Sequence, residues 1–133
     1  MSRVDALLRG ATHLPNSSIA VDWDGSVARL TLGNARSQRV QITERGDHII
    51  FESVVLSARQ TRSMRTDEVA SVVWERNQQT DVVAFGWDSA GRLVGRIDQL
   101  AATLNVEELW FYLEVLAQQC DRLEWLLTGE DVQ

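Results

Sequence analysis

Ile19, Val21 and Trp23 alternate with Ala20, Asp22 and Asp24, the two-residue period of a strand with one buried face. Asp24-Gly25 follows, a tight-turn signal because glycine tolerates the positive φ that hairpin turns need. Residues 27–32 read as the return strand, with Ala28, Leu30 and Leu32 on one face. Gly33-Asn34 turns the chain again, residues 38–43 form a third strand through Val40 and Ile42, and Arg45-Gly46-Asp47 leads into a fourth over 48–56. Four strands joined by short turns make a meander.

The period then changes. Before the meander, residues 2–10 read as a short helix capped by Ser2, with Leu7 and Leu8 inward, ended by Gly10, Pro15 and Asn16. After it, residues 57–65 are polar and read as a loop carrying Arg59, Arg62 and Arg65. Thr66 suits an N-cap, and Asp67 and Glu68 suit the positive end of a helix. Val69, Val72, Val73 and Arg76 follow at helical spacing, so a helix is expected over 67–78. Residues 80–87 and 92–97 form a hairpin about the turn Asp88-Ser89-Ala90-Gly91. Asn105 and Glu108 form a capping box, and Leu109, Leu113, Leu116, Cys120, Leu123 and Leu127 recur at steps of four and three. That spacing places all six on one stripe of a long helix, with Gly129 as its stop. The order is helix, four strands, helix, hairpin, helix: an α+β fold with an antiparallel meander sheet and flanking helices, expected as one domain over 1–133.

Chemistry is sparse. His13 and His48 are the two histidines of the 133 residues, and Cys120 is the one cysteine. No nucleophile–base pair or metal-ligand spacing assembles from them, so no catalytic residue, metal or cofactor is expected. Cys120 on the leucine stripe behaves as a small hydrophobe. Asp22-Trp23-Asp24-Gly25 begins like a calcium loop, but Gly33 stands where its closing glutamate belongs. Glu114 and Asp121 share a helix face without a histidine and read as hydrated surface, with pairing of Asp121 to an arginine as a second option. A net charge of −6 opposes binding to nucleic-acid phosphates. No apolar run reaches the ~20 residues of a membrane span, and the N-terminus lacks a signal-peptide core, so a cytoplasmic location is expected.

Apolar surplus is the informative feature. Beyond its stripe, the last helix carries Trp110, Phe111, Tyr112, Val115, Trp125 and Leu126 round most of its circumference. Trp23, Trp74 and Trp87 bring the tryptophans to five. Leaving several such side chains in water forfeits roughly 1.5–3 kcal/mol each, so a partner surface is expected. A homodimer through Trp110, Phe111, Val115 and Trp125 is one form. Capture of an extended peptide or protein client at the first strand, through Ile19, Val21 and Trp23, is another. An adaptor for one folded partner, and a small-molecule pocket lined by Trp74, Trp87 and Trp110, stay open as alternatives.

Four segments also resemble one bacterial family: Asp81-Val82-Val83-Ala84-Phe85-Gly86-Trp87, Gly91-Arg92-Leu93, Asn105-Val106-Glu107-Glu108-Leu109, and Leu116-Ala117-Gln118-Gln119-Cys120-Asp121-Arg122-Leu123-Glu124-Trp125-Leu126-Leu127. The resemblance is to the YbjN-type sensory transduction regulators, whose fold is similar to type III secretion chaperones (Tir chaperone-like). Cys120 stands where that pattern has alanine, and the likeness covers residues 66–127. It implies a cytoplasmic, non-catalytic, homodimeric module that holds extended segments of a client protein.

Overall fold

A computed structural model describes residues 19–33 and 36–129. The helix expected over 2–10, together with His13 and the Asn34 half of the second turn, lies outside the described residues.

Six strands form one antiparallel sheet. They are β1 (Ala20–Asp24), β2 (Val27–Thr31), β3 (Ser37–Arg45), β4 (His48–Leu56), β5 (Ala84–Trp87) and β6 (Leu93–Leu100), in the spatial order β1-β2-β3-β4-β6-β5. The meander turns close because Gly25 and Gly46 both adopt a φ of 61°, a conformation that disfavours residues with a Cβ. Alternation along the strands sorts the two faces. Val21, Leu30, Val40, Ile42, Ile49 and Phe51 are buried, while Asp22, Arg29, Arg39 and Gln41 between them face water.

Helix α3 (Val106–Glu124) lies across the buried face, over β3, β4 and β6. Its capping box forms as its sequence implies: the Glu108 N–H donates to Asn105 Oδ1 at 2.8 Å, and the Asn105 N–H to Glu108 Oε1 at 3.4 Å. All six stripe residues, Leu109 to Leu127, are buried. The close approach of helix to sheet depends on Gly95 of β6. A Cβ there would stand 2.5 Å from Cys120 Sγ and 3.3 Å from Leu116 Cδ1. The helix is shorter than a continuous rod, since Trp125–Gly129 widens into a π turn.

The middle of the chain departs from expectation. Residues 57–65 are not a loop: α1 (Ala58–Ser63) forms there, with Ser57 and Gln60 making a reciprocal capping box. Helix α2 (Thr66–Gln79) starts one residue early, with Thr66 inside it and Arg65 as an N-cap that makes no side-chain cap bond. The strand expected from residue 80 begins at Ala84, because Thr80 Oγ1 donates to the Val83 carbonyl at 2.8 Å and closes a turn first. α2 runs beside α3 in the opposite direction, since Arg76 reaches Gln119 while Val69 and Val72 share a groove with Leu126 and Leu127.

Candidate protein-binding surfaces

The sheet has two edges, and they differ. At β5, the Asn77 side chain of α2 receives the Phe85 N–H at 2.9 Å and donates to the Phe85 carbonyl at 3.0 Å. A side-chain amide thus occupies main-chain groups that an added strand would use. β1 lies at the other edge of the described sheet. Its side chains do not present themselves to a partner as expected: Ile19 and Val21 are buried, and Trp23 is half-buried against the core. Val21 and Trp23 face inward because they pair with Leu30 and Ala28, the core side of β2. Whatever β1 offers at its edge is main chain, and Ile19 and Trp23 each make a further interaction already.

The aromatic residues divide. Trp110 belongs to the core, which removes it from any surface. Phe111 and Trp125 are 51% and 43% exposed on the outer side of α3 and its terminal turn, and Val115 is half-buried. Trp74 on α2 is 66% exposed and Trp87 at the end of β5 is 42% exposed. Two rings that far into solvent, and a third inside the core, do not line an enclosed pocket, so the pocket expected from Trp74, Trp87 and Trp110 does not form.

Polar side chains meet at the far end of α3. Asp121 is buried and paired with Arg36 at 2.8 Å, so it is not part of a hydrated face. Gln38, inward on β3, donates to Glu124 at 2.8 Å and lies 3.1 Å from the Ser53 hydroxyl. Burial pushes the Glu124 carboxyl above its ordinary range, against the opposing pull of the Gln38 bond. The ion pair with Arg36 is the second option that the sequence offers for Asp121, whereas Gln38 reads as solvent-facing because it is a glutamine in a strand. The available signal was its register, two residues before Val40 on the core side.

The seam between α2 and α3 holds a second cluster. Arg76 is only 8% exposed. Its guanidinium donates to Gln79 and Gln119, and its Nε is buried without a hydrogen-bond partner among the described residues. Burial, then the nearby Arg122 charge, lowers its pKa, while Glu75 acts in the opposite sense. One turn away, a groove of about 310 Å³ opens over Met64, Val69, Val72, Leu126 and Leu127.

The remaining reactive groups are accounted for locally. Cys120 is fully buried, its thiol pushed up to about 12 by desolvation, which makes it unreactive. His48 Nδ1 lies 2.6 Å from Asp98 in an exposed pair, and that hydrogen bond raises its pKa. Asp88 closes the β5–β6 turn, accepting from the Ala90 and Arg92 N–H groups and from Arg92 Nε. Arg59 and Arg62 are exposed, and Arg65 is shared between Asp67 and Glu68 at 3.6 Å each. Among the described residues no group of three potential ligands is placed to hold a metal ion, and no helix is long and apolar enough to cross a membrane.

No family description and no curated protein matches the sequence. Solved structures do match the fold. A chain in the crystal structure of the ExsC–ExsE complex aligns with a TM-score of 0.52 at 19% identity, covering 81% of each chain. One in the HopA1–SchA chaperone–effector complex gives a TM-score of 0.44 at 10% identity, over 83% of this chain and 79% of that one. The chain therefore has an α+β fold, a six-stranded antiparallel sheet with flanking helices, like that of the matched chain in the ExsC–ExsE complex.

Proposed function

We propose that this chain is a non-catalytic, chaperone-like protein-binding module that acts as a homodimer. The observation that carries the reading is the exposed aromatic surface: Trp74, Phe111, Trp125 and Trp87 remain between 42% and 66% exposed in one protomer. Rings of that size left in water favour association. The fold shared with a chain of a solved protein–protein complex supports the same reading. The YbjN-type likeness and its implied regulatory role belong here too, carried by the quoted segments alone.

Phe111 and Trp125 are the proposed self-association anchors, with Val115 at their margin. They lie 14 residues apart, roughly 21 Å along the axis of α3 and its terminal turn, and both are exposed. Sedimentation at micromolar concentration tests this. A dimer that becomes a folded monomer in Phe111→Glu/Trp125→Glu is expected. A wild-type monomer overturns the dimer, and dissociation by Trp74→Glu instead moves its interface to α2.

The client site is proposed at the β1 edge, where an extended segment adds main-chain bonds in competition with the interactions Ile19 and Trp23 already make. Affinity capture from the native cell supplies a client. Amide exchange then reads the site: added protection at Val21 is expected on binding, and unchanged exchange across β1 at saturation removes this site.

A further inference from the structure

A buried guanidinium is ordinarily matched by a carboxylate, because an unpaired charge in a poorly solvated place is unfavourable by several kcal/mol. Arg76 has no ion-pair partner among the described residues. Two neutral glutamine oxygens serve its terminal nitrogens, and Nε has no hydrogen-bond partner among the described residues. On α3 the charge that acts on Arg76 is Arg122, of the same sign and exposed, while the adjacent Glu75 on α2 opposes it without forming an ion pair among the described residues. Glu68, at the far rim of the neighbouring groove, is engaged with Arg65 at 3.6 Å. Val72 precedes Arg76 by four residues on α2, and Leu126, in the π turn that ends the antiparallel α3, follows Arg122 by four. Apolar groove and cationic pair are thus neighbouring turns of one seam, about 5.4 Å apart along α2.

We infer that the α2–α3 seam is a docking site for a protein segment bearing an apolar side chain and a carboxylate on one face. The apolar side chain fills the groove between Val69, Val72 and Leu126, and the carboxylate accepts from Arg76 and Arg122. In an extended segment, residues two apart point the same way at roughly 6.6 Å, which matches the one-turn spacing. A polyanion does not fit this chain's net charge of −6, so a single carboxylate is the complement. The inference rests on the protein-binding reading but on none of the residues tested above, so failure at β1 or at Phe111 leaves it standing, and the reverse.

The test is a titration followed by NMR at the Arg76 Nε–H and the Leu126 methyls. The probes are acetyl-Leu-Ser-Glu-amide, acetyl-Leu-Ser-Gln-amide and inorganic phosphate. The glutamate peptide should shift both sets of signals saturably, at least about fivefold tighter than the glutamine peptide, the upper range for one exposed ion pair. Arg122→Gln, an exposed change whose fold is checked by circular dichroism, should reduce that preference below about twofold. Three results overturn the inference. One is no shift from either peptide. Another is a preference that survives Arg122→Gln. The third is a full Arg76 response to phosphate with Leu126 unmoved by any probe, an adventitious ion only.

Discussion

Helices α2 and α3 lie side by side, and they are built by different rules. α3 begins in a reciprocal capping box, buries a continuous apolar stripe and ends with two carboxylates, Asp121 and Glu124, bonded to Arg36 and Gln38. α2 begins without a side-chain cap, buries an arginine that has no ion pair among the described residues and turns its tryptophan outward. In α3 propensity, pattern and polar satisfaction agree; in α2 they conflict. Conflict of that kind is where function is to be sought, because stability alone would have removed it.

The sharpest break in the comparison is at the sheet under α3. Gly95→Ala places a Cβ 2.5 Å from Cys120 Sγ and 3.0 Å from Phe85 Cε1, and neither can retreat in a filled core. Overpacking of this degree destabilises by about 1–3 kcal/mol, to be read from urea unfolding. Adding Cys120→Gly should recover part of the packing loss; a strictly additive double mutant would mean the two sites are not in contact.

That dependence explains what the sequence revealed. The stripe from Leu109 to Leu127 and the Asn105–Glu108 box are local patterns whose tertiary consequence agrees with them, so α3 and the meander were legible. α1 carried a legible cap in Ser57 and Gln60, but its arginines hid it. Trp110 read as surface because a helix pattern gives the side of a residue and not how far the sheet wraps round it. Arg76 sat plainly at core spacing beside Val69 and Val73. Its missing counter-charge depends on what α3 places opposite, which no single segment contains.

Caps offer a matched pair. Asn105→Ala removes an acceptor from the Glu108 N–H and should lower stability by about 1 kcal/mol. Arg65→Ala, at the equivalent position of α2, makes no side-chain cap bond and should change stability by less than about 0.5 kcal/mol. Equal losses in chemical denaturation would erase the contrast in how the helices begin.

Arg76→Met tests the contrast within the seam. Methionine keeps the length and removes a buried charge that has no ion pair among the described residues, so stability should hold within about 1 kcal/mol or rise. A loss above roughly 2 kcal/mol would show that the bonds to Gln79 and Gln119 hold the helices together, and α2 would then be as structurally committed as α3.

The smallest effect belongs to α3 itself. Glu124 is half-buried with its carboxyl pushed up, chiefly by desolvation and also by Asp121, while Gln38 and Arg36 pull the other way. The folded state therefore keeps this proton to a higher pH than the unfolded chain does. Its contribution is fully present below the ordinary carboxylate range and is lost as pH rises through the raised folded value. Glu124→Gln keeps an acceptor for Gln38 and carries no charge, so its stability should lack that decline and match or exceed the wild type at neutral pH. A wild-type profile that instead rises through this window, with the variant flat, would make the carboxylate a net stabiliser, and the end of α3 would then hold its charge better than the Arg76 seam holds its own.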